Sequence, residues 1–107
     1  MGDYNVAFRY TRKAGAYHGV VNWTSFSSRE EFQQMYTPER QEHQEVVEEG
    51  ITEERAIQLT FQTPLSCRLA ASIGEATDEA GNINPTLLEV LLANSIYAER
   101  EARKRGC

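Results

Sequence analysis

The sequence predicts an α+β domain: an N-terminal antiparallel β-hairpin followed by four or five helices packed around an apolar C-terminal helix. Three observations carry that expectation. In residues 4–10, YNVAFRY, Tyr4, Val6, Phe8 and Tyr10 alternate with Asn5, Ala7 and Arg9, the period-two pattern of a half-buried strand. Capping signals recur at Ser27 and Ser28, Thr37, Thr52 and Asn84, each ahead of a helix-forming run. Residues 85–98, PTLLEVLLANSIYA, are apolar on nearly every side of a helical wheel, and such a helix is built for burial.

The first strand is followed by TRKAGA, with two cations and Gly15, and then by YHGVVNWTSF over residues 17–26. The expected unit is a hairpin over residues 4–26, turning near Gly15. A two-stranded hairpin is marginal alone, so one face must meet helices or an edge must pair with another strand. Ser27 or Ser28, with Glu30 or Glu31 three residues on, forms a capping box that starts a helix carrying Phe32, Met35 and Tyr36 on one edge. Thr37 with Pro38 restarts the pattern. The charged segment that follows, ERQEHQEVVEEG, reads as a solvent-facing helix ending at Gly50.

Thr52 with Glu53 and Glu54 opens the next helix, the acids suiting its positive end. Ile57, Phe61, Leu65, Leu69 and Ile73 then recur every four residues as an expected core stripe, with a break or kink at Thr63 and Pro64. Opposite the stripe Cys67, Ala70, Ala71 and Gly74 are small, and the apolar C-terminal helix is the expected neighbour that approaches them. Residues 78–84, DEAGNIN, form a loop, and Asn84 with Pro85 caps the last helix. The sheet's helices are expected on one of its faces, or as a bundle with a hairpin arm.

The 107 residues suit one domain, 1–107, divided into the hairpin at 4–26 and a helical part at 28–105. The 85–98 run is too short and too interrupted to span a bilayer, and residues 1–6 lack the apolar stretch of a signal peptide. Two cysteines, Cys67 and Cys107, are too few for a disulfide scaffold, so a reducing, cytoplasmic setting is expected. The net charge of −5 is uneven: residues 30–90 carry thirteen acids against Arg40, Arg55 and Arg68, while both ends are mildly basic. An acidic middle favours solubility or a basic partner, whereas a general nucleic-acid binder is more often basic overall.

The residues that carry chemistry are sparse. Glu39 and His43 share a helical face without further clustered ligands, so no metal site is expected. Cys67 stands among small residues as an inert core thiol rather than a nucleophile. The acids from Glu30 to Glu54 lack an apolar pocket that would separate their pKa values, and no phosphate loop or nucleophile elbow occurs. No catalytic activity and no cofactor are therefore expected. The expected function is a protein–protein interaction module, an assembly subunit, adaptor or inhibitor that also forms a homodimer. Its contact residues are Leu88, Leu92, Ile96 and Tyr97 on the last helix and Glu42, Glu45 and Glu49 on the acidic surface. The alternative is nucleic-acid binding by the hairpin, with Arg9, Arg12 and Lys13 on phosphates and Tyr17 stacking on bases.

Overall fold

The computed structural model describes residues 4–11 and 22–106. Along the chain they form β1 (Tyr4–Tyr10), β2 (Asn22–Phe26), α1 (Arg29–Met35), α2 (Pro38–His43), β3 (Gln44–Ile51), α3 (Glu53–Gln62), α4 (Leu65–Ala76) and α5 (Pro85–Lys104). The α+β class is as expected. The expected turn at Gly15 and the strand residues from Tyr17 to Val21 lie outside the described residues.

Between Gln44 and Ile51 the expected helix is a strand. The sheet has the order β2-β1-β3, with β1 antiparallel to both neighbours. Glu and Gln favour helices, but β1 presents a free edge whose backbone groups need partners, and the Val46–Val47 pair is β-branched. Pairing sets Val46 opposite Phe8 and Gln44 opposite Tyr10, and the register skips Val47 and Gly50. Gly50 takes φ +66° beneath the Tyr4 ring, a backbone conformation that glycine adopts without strain.

As the central strand, β1 buries both of its alternating sets, Val6 and Phe8 on one side and Asn5 and Ala7 on the other. The sheet is therefore covered on both faces rather than one. Phe32 of α1 fills the first side against Val6, Phe8 and Phe26; its ring centroid lies 5.3 Å from that of Phe26 and 6.2 Å from that of Phe8. Ser28 caps α1 by accepting from Glu31 N at 3.1 Å, and the Glu31 carboxylate returns to accept from Ser27 N at 2.8 Å. On the other side α3 lies against β1 and β2, and α5 runs along α3 and α4.

The remaining caps also stand where expected, with Thr37, Thr52 and Asn84 accepting from Arg40, Arg55 and Leu87 backbone amides. At Thr63 and Pro64 the helix breaks outright, ending α3 at Gln62 and starting α4 at Leu65. The small face of α4 also admits Tyr10 of β1, beside the α5 that packs along the same helix. Tyr10 packs on Ala71 and Cys67 and donates its hydroxyl to the Gly74 carbonyl at 2.8 Å.

The core stripe holds only as far as α3. Ile57 is fully buried and Phe61 partly so, whereas Leu65, Leu69 and Ile73 are exposed. The face of α4 that turns inward carries Arg68, Ala71, Ser72 and Ala76. In α5 the buried residues are Ser95, Ala98 and Ala102. Helices that cross closely need small side chains at the contact, so the bulky residues are displaced to the flanks.

Candidate interaction surface

The α4–α5 pair is held by Arg68, which is 3% exposed. Its Nε donates to the Thr63 carbonyl at 2.9 Å, its Nη1 donates to the Ser95 hydroxyl at 2.9 Å and the Ser95 carbonyl at 3.2 Å, and Nη2 lies 3.9 Å from Glu99. Burial pulls the guanidinium pKa down and Glu99 opposes it. At the other end Asn84 N donates to the Ala76 carbonyl at 2.8 Å. The two helices therefore run antiparallel, side by side. Between them the chain turns on Asp78, whose Oδ1 accepts from Ala80 N and Asn82 N, and on Gly81 at φ +86°.

This arrangement decides where the bulky residues point. At 3.6 residues per turn, Leu65, Leu69 and Ile73 lie one step round α4 from Arg68, in the direction of the helical winding. Leu88, Leu92 and Ile96 stand in the same relation to Ser95 on α5. Because the helices are antiparallel, both stripes fall on the same side of their seam, away from the small face that Tyr10 occupies. Among the described residues, eight of the nine large exposed apolar side chains lie between Leu65 and Tyr97, so the apolar surface is concentrated on this hairpin of helices. Ile96 is 53% exposed, Ile73 47% and Leu65 45%; Leu88 and Leu92 are half-buried.

Of the residues singled out from the sequence, Leu88, Leu92 and Ile96 belong to this ridge. Tyr97 is exposed on a different flank of α5, turned toward α3, where its hydroxyl donates to Glu53 at 3.1 Å. Glu42 is exposed on α2. Glu45 pairs with Arg9 at 3.2 Å, and Glu49 accepts from the Tyr4 hydroxyl at 2.6 Å with Arg29 at 3.7 Å. The acidic segment is thus partly neutralised by its own neighbours. Arg9 is engaged in the same way, while Arg12, Lys13 and Tyr17 lie outside the described residues.

Leu65, Leu69 and Ile73 were legible only as core. The signal that would have placed them outside is Arg68 with Ser72: a buried arginine needs acceptors from neighbouring elements, and that fixes the inward face.

A second feature is a cleft of about 370 Å³ between α2, the end of α4 and the start of α5, lined by Glu39, Arg40, His43, Gln44, Glu75 and Asp78 among others. Glu75 was not singled out from the sequence. Burial raises its carboxyl pKa, opposed by Arg40 and by the Gln44 amide. Gln44 Nε2 donates to Glu75 Oε1 at 2.6 Å, while Gln44 Oε1 and Glu75 Oε2 have no partner among the described residues. Among the described residues no three His, Cys, Asp or Glu side chains converge as a metal site, and Cys67 lies half-buried against Tyr10. No described helix is long and apolar enough to cross a membrane.

No family model, curated protein or solved structure matches the chain.

Proposed function

We propose that this protein is a non-catalytic interaction module that works by docking the outer face of α4 and α5 onto protein partners, the first of them a second copy of itself. The observation that carries the reading is the apolar ridge of Leu65, Leu69, Ile73 and Ile96, left exposed although the chain has a formed core elsewhere. Exposed apolar side chains gathered on one surface mark interaction sites, whereas scattered ones do not. The acidic segment supports a basic partner less well, since Glu45 and Glu49 are held by Arg9, Tyr4 and Arg29.

The test replaces Leu69 and Ile73 together by glutamate. Both are exposed, so the melting temperature should stay within a few degrees, as for surface substitutions generally. Multi-angle light scattering should show the wild-type chain associating and the double variant monomeric at the same concentration. Equal association by the two proteins would remove this face from the account.

A further inference from the structure

The exposed side of α5 carries Glu89, Ala93, Ile96, Arg100 and Arg103, spaced alternately by four and three residues. That spacing lines one face of a helix, the seam along which two helices pack. The order of residues on the seam is self-complementary about its centre. Ile96 lies one heptad from Glu89 on one side and one heptad from Arg103 on the other, with small Ala93 and Arg100 between. We propose, on the basis of the self-association above, that two copies pair α5 with α5 antiparallel about a two-fold axis at Ile96. Glu89 of each copy then faces Arg103 and Arg100 of the other.

The charges select this pairing over its competitors. Glu89 and Arg100 have no ion pair among the described residues, and Arg103, 69% exposed, holds only Glu99 one turn away at 3.1 Å. A parallel pairing sets Glu89 against Glu89 and arginine against arginine, which is repulsive. Packing α5 on the partner's α4 sets these charges against the uncharged stripe of Leu65, Leu69 and Ile73. Only the antiparallel arrangement joins opposite charges at both ends while bringing Ile96 against its own copy. In a two-fold contact residue i meets residue j and j meets i, so the Glu89–Arg103 pairing formed at one end is repeated at the other. Ala93 beside the axis permits the short end of the usual interhelical distance, about 8 Å. Leu69 and Ile73 then flank the seam and widen the buried apolar area.

The test uses the full chain with Cys67→Ser and Cys107→Ser, carrying either Ile96→Cys or Thr86→Cys. Thr86 is exposed near the start of the same helix, and in the proposed register its two copies are separated by about 30 Å, twice ten residues of helical rise. Mild oxidation should link the Ile96→Cys chains into a covalent dimer and leave the Thr86→Cys chains unlinked. In the otherwise unaltered chain, Glu89→Arg should weaken association about tenfold, and combining it with Arg100→Glu and Arg103→Glu should restore it. A wild-type chain that light scattering shows to be monomeric overturns self-association and this register together. A dimer that links through Thr86→Cys but not Ile96→Cys, or whose charge reversal is not rescued, overturns the register and leaves self-association standing.

Discussion

Replacing Arg68 by methionine tests how the helical layer is held together. Methionine keeps most of the apolar stem volume, so little cavity forms, and the loss falls on the guanidinium. Arg68 supplies donors to the Thr63 carbonyl at the end of α3 and to the carbonyl and hydroxyl of Ser95 in α5. Hydrogen bonds from a charged donor contribute about 1.5–3 kcal/mol each. Removing the cation also removes the cost of burying it, and Glu99 is not stranded, because it is 26% exposed and keeps Arg103 at 3.1 Å. The net loss is therefore placed at about 3 kcal/mol, the low end for breaking a buried charged network. In urea, with a slope of about 1–3 kcal/mol per molar, the unfolding midpoint should fall by about 1–3 M. Arg68→Lys retains the charge but not the fork of donors, and should fall between the two. A midpoint within about 0.5 M of wild type for Arg68→Met would refute the argument. So would a lysine variant as stable as the wild type.

Two further substitutions probe the contacts on the sheet side of α4. Gly74→Ala places a Cβ 2.9 Å from Cε1 of Tyr10, whose ring is pinned by its bond to the Gly74 carbonyl. The helix gains about 0.5–1 kcal/mol from losing a glycine, so a net loss of about 1–2 kcal/mol in chemical denaturation is expected from the overpacking; an unchanged midpoint would mean that the ring yields freely. Glu75→Gln should alter the pH profile of stability. The folded carboxyl has a raised pKa, so the native state holds its proton more tightly than the unfolded chain, and the wild type loses stability as pH rises from the ordinary carboxylate range through the folded value. The variant does not titrate and should be more stable than wild type at pH 7, the two converging below about pH 4. Parallel profiles across that range would show that Glu75 is not perturbed.

Local signals were read correctly where they sufficed. Ser28, Thr37, Thr52 and Asn84 cap helices through hydrogen bonds within three residues, and Pro64 breaks the α3–α4 stripe for a reason contained in its own ring. The period of β1 marked the strand but understated its burial, because Asn5 and Ala7 are covered as fully as Val6 and Phe8. What the sequence concealed depends on neighbours distant in the chain. The segment 44–51 is a strand because β1 offers an edge, and nothing in QEVVEEGI announces that edge. The four-residue recurrence of Leu65, Leu69 and Ile73 describes a helical face correctly but not its direction. Direction is set by Arg68, whose acceptors lie on α3 and α5, and by Tyr10, which takes the small face. The apolar character of α5 likewise predicted burial, yet the space beside α3 and α4 admits Ser95, Ala98 and Ala102 and leaves Val90 and Ile96 outside. The ridge that carries the functional reading is therefore a product of packing. Its residues were visible in the sequence, and their exposure was not. Glu75 and Gln44 were missed for the same reason, being brought together across 31 positions.

The measurement that bears most directly on the account is sedimentation equilibrium of the unmodified chain over a concentration series, alongside the Leu69→Glu and Ile73→Glu double variant. A mass rising with concentration toward that of two chains, absent in the variant, is the expected result. A wild-type mass that stays at 12.1 kDa across micromolar to near-millimolar concentrations would contradict the central claim that the outer face of α4 and α5 is where this protein meets its own copy.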